Sequence, residues 1–231
     1  MDAPIIVAVI ALVAALASGG LSLWGQSRAA SVVARREADA VLAKYREPLI
    51  AAAYELQGRL YNILKLGFLP KYYLHGDEAQ RTYAVENTLY VVAQYFGWSE
   101  ILRREIQFMS FSDSLKSRAA AQRLRRIVEL FQSDEPELGR PFLVWRGEQR
   151  AIGECMIDRT GDQVQCLGYA GFLARRDGPL QPWLTRLEAD IDEIAREPNP
   201  RLIGLQHGLV DLLQELDPSH IRYANDELQK V

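Results

Sequence analysis

"PIIVAVIALVAALASGGLSLW", residues 4–24, constrains this chain more than any other stretch, because it runs 21 residues without a charge. At a helical rise of about 1.5 Å per residue it covers roughly 31 Å, the thickness of a bilayer core. Trp24 stands where an interfacial aromatic would sit. The segment therefore predicts a transmembrane anchor, with the lipid bilayer as its partner. A cleaved signal peptide is the alternative, since Ala15 to Ala17 supply small residues for cleavage. Such a peptide carries basic residues ahead of its apolar run, and here only Asp2 precedes it. Arg28, Arg35, Arg36, Lys44 and Arg46 follow it, against Glu37 and Asp39, which by the positive-inside rule places the C-terminal side in the cytoplasm. The expectation is a single-pass protein of the inner (plasma) membrane, N-terminus out, with the bulk of the chain cytoplasmic.

The chain as a whole has the composition of a folded protein, with 48% apolar and 25% charged residues over its 231. A net charge of −3 gives no pull toward nucleic acid, and none is expected as a partner. The organisation reads as an anchor (1–25), a helical stalk (26–47) and an α+β, mostly helical domain (48–231). Pro48 interrupts the stalk and opens a helix with apolar residues at Leu49, Ala52, Ala53, Leu56, Leu60, Ile63 and Leu64. Residues 78–109 are apolar nearly all round and predict a central helix, broken near Gly97, with Ser99 capping a second piece. A basic helix follows to about Phe131, completing a helical part over 48–133. "SDEPELGRP", 133–141, reads as a linker.

Alternation then replaces helical spacing. "FLVW" (142–145), "RAIGECMI" (150–157) and "VQCLGY" (164–169) predict a three-stranded antiparallel β-meander over 142–170. Two C-terminal helices occupy 182–217. The second has Asn199 as cap, Pro200 next, and a core stripe of Leu202, Leu205, Leu209, Leu212, Leu213 and Leu216; Gly204 and Gly208 would admit a close neighbour. The tail after Asp217 reads as peripheral.

Three long phrases, "YREPL" (45–49), "NTLYVVAQYFGWSEILRREIQFM" (87–109) and "WRGEQRAIGE" (145–154), together with a bias toward arginine over lysine, resemble a family of small single-span bacterial membrane proteins of actinobacterial type. The resemblance implies an anchored cytoplasmic domain and implies no activity.

The side chains that could carry chemistry are scattered. His75, His207 and His220 are far apart in sequence, and no CxxC or HExxH occurs, so no metal site and no cofactor is expected. No nucleophile motif or phosphate-binding glycine loop is present. His207 and Asp211, four apart on one helix face, could form a general-base pair or simply a solvent-facing couple. Glu154 and Asp158, on or near the second strand, could serve a metal-dependent nuclease, although "VQCLGY" lacks the lysine a Glu-x-Lys site would want. The richest cluster is Trp145, Arg146, Glu148 and Arg150, where arginines beside an aromatic suit a phosphate, a carboxylate or an acidic partner loop. Its plain alternative is a soluble hairpin tip. The basic helix 115–126 could touch anionic headgroups or only face water.

Cys155 and Cys166 are the only cysteines. A turn at Thr160-Gly161 would place them opposite one another as two reduced core thiols on neighbouring strands. The function expected is a membrane-tethered cytoplasmic binding, scaffold or sensory module with a ligand, a protein partner or self-association. The alternative is a membrane-anchored, hydrolase-like enzyme with carboxylates and arginines around the meander.

Overall fold

A computed structural model describes residues 44–107, 115–159, 164–197 and 199–231. The first described helix, α1, covers 44–65 and buries Tyr45, Leu49, Ala53, Leu56, Leu60 and Ile63, the helical stripe expected of it. It is already helical before Pro48, so the proline marks no break between stalk and domain. Phe68 begins a short π-helical turn completed by Pro70–Leu74.

Helix α2, Glu78–Gln107, is the centre of the domain. Its start is fixed reciprocally: Asp77 Oδ1 accepts from the Gln80 N–H at 2.8 Å, and Gln80 Oε1 accepts from the Asp77 N–H at 3.2 Å. Leu89, Val91, Val92, Ala93, Tyr95, Phe96, Ile101 and Leu102 are all buried, as befits a helix apolar on most sides. It runs through Gly97 without a break, and Ser99 lies inside it, not at a cap. Gly97 is a contact residue: a Cβ there would lie 2.5 Å from the Cys166 sulfur and 2.9 Å from Met156 Cβ.

Helix α3, Leu115–Gln132, packs against α7, Pro200–Leu216. A Cβ at Gly204 would lie 3.1 Å from Leu130, and one at Gly208 would lie 3.4 Å from Ile127, so these glycines set the close approach expected of them. Asn199 caps α7 by accepting from the Leu202 N–H at 3.1 Å, and the whole leucine stripe is buried. Arg201, fully buried, donates to the carbonyls of Leu130, Phe131, Ser133 and Gly139, closing the C-terminus of α3 and the turn (Pro136–Leu138) after it.

The three-stranded meander is not formed. Residues 142–145 make a turn and an extended entry: Phe142 has φ 62, its N–H donates to Asp190 Oδ2 at 2.8 Å, and the Val144 N–H donates to the Phe131 carbonyl at 2.8 Å. Arg146–Cys155 is a helix, α4. Glu148 accepts from the Trp145 N–H at 2.8 Å and starts it, and Gln149, Ile152, Gly153 and then Met156 form one buried face at helical spacing. The sheet among the described residues is two short antiparallel strands, β1 (Ile157–Asp158) and β2 (Gln165–Cys166). Cys166 pairs with Ile157, not Cys155, which ends α4. The fold is therefore a helical domain with a two-stranded ribbon.

Helices α5 (Tyr169–Arg176) and α6 (Gln181–Arg196) complete the layer on α2. The tail is strapped down: Leu228 is buried, Tyr223 stacks on Tyr54 at 3.6 Å, and the Val231 N–H donates to Gln206 at 3.3 Å. The anchor expected at 4–24 and the stalk up to residue 43 lie outside the described residues. No helix among those described is long and apolar enough to cross a membrane, so the single-pass membrane assignment has no counterpart in this fold.

Candidate functional site

Gly153 decides how α4 sits on α2. A Cβ there would lie 2.6 Å from the Phe96 carbonyl oxygen and 2.7 Å from Glu100 Cβ, so only glycine lets the helices meet at this distance. The contact holds the first turns of α4 beside α3 as well, where the Gln149 amide donates to the carbonyls of Val128 (3.2 Å) and Val144 (2.9 Å). Between the three helices lies a groove of about 520 Å³. Tyr95, Phe96 and Leu102 from α2 and Ala121, Leu124 and Val128 from α3 give it apolar walls.

Its rim is cationic. Arg103, Arg125, Arg146 and Arg150 line it. Arg103 is committed: with Arg104 it binds Glu100, at 2.6 and 2.7 Å, and Arg104 also reaches Glu154 at 2.8 Å. Burial raises the pKa of Glu100, but the two guanidiniums outweigh it and hold the carboxyl below the usual range. Among the described residues no carboxylate pairs with Arg125, Arg146 or Arg150. Three arginines thus share one largely apolar groove with no carboxylate partner among the described residues, a setting that attracts an anion.

Two of the lining residues, Tyr95 and Ser99, carry hydroxyl oxygens that are closed off from solvent. Tyr95 is 2% exposed, and neither its Oη nor Ser99 Oγ completes a hydrogen bond. Burial pushes the Tyr95 phenol above its ordinary pKa and outweighs the nearby Ser99 hydroxyl, which favours the phenolate. A buried hydroxyl without a partner costs about 1–3 kcal/mol, so both favour an acceptor.

The residues singled out in the sequence divide sharply. Arg146 and Arg150 reach the groove, one turn apart on α4. Trp145 is 46% exposed at the helix start, and Glu148 turns to Arg186 at 2.7 Å. The catalytic candidates do not converge. His207 donates to the Val231 oxygen at 2.8 Å, Asp211 pairs with Lys230 (2.5 Å) and Arg123 (3.4 Å), and Glu154 is on Arg104. No cluster of His, Cys, Asp and Glu that could hold a metal occurs among the described residues. Cys155 and Cys166 are free thiols, bonded to the carbonyls of Pro179 (3.5 Å) and Gln94 (3.8 Å). Burial pushes the Cys166 thiol up to about 12.

Sequence reasoning gives Ser99 only as a helix cap, Arg125 only within the basic helix 115–126, and Tyr95 no role at a site. The available signal was spacing: Tyr95 with Ser99, and Leu124 with Val128, recur at i, i+4, which core packing also explains.

Fold and groove together define a helical domain with an arginine-rimmed, largely apolar groove. No family model matches the chain, and neither a curated protein nor a solved structure matches it. The chemistry of the site rests on its own residues.

Proposed function

We propose that this protein is a binding module, not an enzyme, and that its groove between α2, α3 and α4 takes a small amphiphilic anion: an apolar chain with a phosphate or carboxylate head. The observation that carries the reading is the coincidence of apolar walls with three arginines that have no carboxylate partner among the described residues. Hydrocarbon would bury against Phe96, Leu102, Leu124 and Val128, and the head would sit among Arg125, Arg146 and Arg150. The groove volume is within the range of small-molecule sites, ~300–1,000 Å³. Dispersal of His207, Asp211 and Glu154 removes the support for the hydrolase alternative.

Displacement of an environment-sensitive apolar dye from the full chain tests this. Monododecyl phosphate, below its micelle concentration, should displace the dye, and dodecanol should do so far more weakly. Arg146→Gln with Arg150→Gln should weaken the phosphate roughly tenfold, the scale of charge-assisted hydrogen bonds lost at a partly exposed site. Equal displacement by the alcohol and the phosphate would contradict the reading.

A further inference from the structure

Resting on that groove, we infer that the head of its ligand is a doubly charged phosphate monoester, not a carboxylate or a singly charged phosphodiester. The charge at the rim carries this. Glu100 and Arg103, both in the lining, offset one another in their ion pair. That leaves the guanidiniums of Arg125, Arg146 and Arg150, all exposed, with no carboxylate partner among the described residues. Two of them also stand at the unfavourable end of a helix. Arg146 is the first residue of α4 and Arg150 lies one turn on, where the positive end of the helix dipole disfavours cations. The acid of that turn does not offset them, because Glu148 accepts from the Trp145 N–H and pairs with Arg186 on α6. The last turn of α4, where the dipole favours a cation, has no basic residue. An anion at the rim relieves this arrangement. A singly charged head would leave two of the three guanidiniums uncompensated. A phosphate monoester carries about −1.5 to −2 at neutral pH and presents three acceptor oxygens, which matches three arginines. The planar guanidinium fork suits those oxygens in bidentate pairs. A diester has given up one charge and one free oxygen to its second ester bond. The Tyr95 and Ser99 hydroxyls, closed off from solvent, take no part.

Dodecyl phosphate, its methyl diester, dodecanoate and inorganic phosphate, each titrated into the full chain below any micelle concentration, separate charge from chain. At a pH of about 8 the monoester should bind at least roughly tenfold tighter than the diester or dodecanoate, because its second charge adds a charge-assisted hydrogen bond. Inorganic phosphate, with the charge but no chain, should bind far more weakly. Lowering the pH through ~6, where the monoester takes up a proton, should bring its affinity down to that of the diester, whose own affinity stays level. No group facing the head from the three helices changes charge there: Glu100 is held below the ordinary carboxylate range, Tyr95 is pushed above its own, and arginine stays charged. Arg125→Gln, at an exposed position where the fold does not depend on it, should reduce the monoester-to-diester ratio. Equal affinity for monoester and diester at the higher pH, or tighter binding of dodecanoate, overturns the inference and leaves the amphiphile-binding groove intact. Inorganic phosphate binding as tightly as dodecyl phosphate, or binding of none of the four, overturns the reading of the groove and the inference with it.

Discussion

Tyr95 and Ser99 stand one turn apart on α2, and both carry a buried hydroxyl that completes no hydrogen bond. Beside them Arg125, Arg146 and Arg150 line the same groove, and among the described residues no carboxylate pairs with them. Polar capacity of this kind is normally satisfied inside a domain. Its concentration at one place, where two helices have been brought into contact by a glycine, gives the groove its chemistry.

That glycine can be tested directly. Gly153→Ala puts a Cβ 2.6 Å from a backbone oxygen of α2, which cannot move aside as a side chain can. The expected loss of stability in urea unfolding is about 1–3 kcal/mol, with dye binding in the groove lost as α4 is pushed away. Gly147→Ala, in the same helix with nothing within 4 Å of the added methyl, should be neutral or slightly stabilising. Equal behaviour of the two variants would refute the close-contact account.

Glu100 should confer a definite pH dependence. Its folded pKa lies below its unfolded value because Arg103 and Arg104 outweigh its burial. Its contribution is therefore fully present above the unfolded glutamate pKa, ~4.3, and is lost as pH falls through the folded value. Glu100→Gln should cost about 1–3 kcal/mol near neutrality, and the gap from the natural protein should close at acidic pH. A gap independent of pH, measured by denaturant titration across the acid range, would show that the carboxylate charge is not what matters.

Arg201 is 0% exposed and its donors meet four carbonyls at the end of α3. Arg201→Met keeps apolar bulk but strands those acceptors, and should destabilise by about 3 kcal/mol or more. Arg201→Lys, with a point charge instead of a planar fork, should recover only part of the loss. Thermal melting of the two variants ranks them.

How much of this was legible in the sequence depended on segment length. Long, strongly periodic stretches read true: α2 as the centre, the leucine stripe of α7, Asn199 as its cap, Gly204 and Gly208 as contact residues. The ten residues of α4 did not, because Ile152 and Met156 satisfy both period two and period 3.6 in so short a run. Glu148, three residues after Trp145, was the cue that a helix starts there. Gly97 was misread as a breaker because what decides it, the Cys166 sulfur across the interface, is a tertiary contact. Arg146 and Arg150 were found as candidates, but on a supposed hairpin tip. That they stand opposite Arg125 and over Tyr95 follows from three helices meeting, which no local pattern encodes.

The two thiols should differ in reactivity. Burial raises both, Cys155 with help from the Glu154 charge, and carries Cys166 to about 12. The thiolate is the reacting form, so Cys155 should be alkylated first as pH rises, and Cys166 more slowly. Mass spectrometry of iodoacetamide-treated protein over time gives the order, and faster modification of Cys166 would contradict its half-buried placement against Gly97.

The most direct measurement of the central claim is where an amphiphilic anion binds. An alkyl phosphate with a photoreactive diazirine along its chain, cross-linked to the full chain and mapped by peptide mass spectrometry, should label the walls of the groove, around Phe96 and Leu102 on α2 and Leu124 and Val128 on α3. Excess unlabelled phosphate should suppress those adducts, and Arg146→Gln with Arg150→Gln should reduce them. Labelling concentrated instead in the cleft between α1 and the C-terminal strap, around Tyr54 and Asn87, or spread evenly over the surface, would contradict the account.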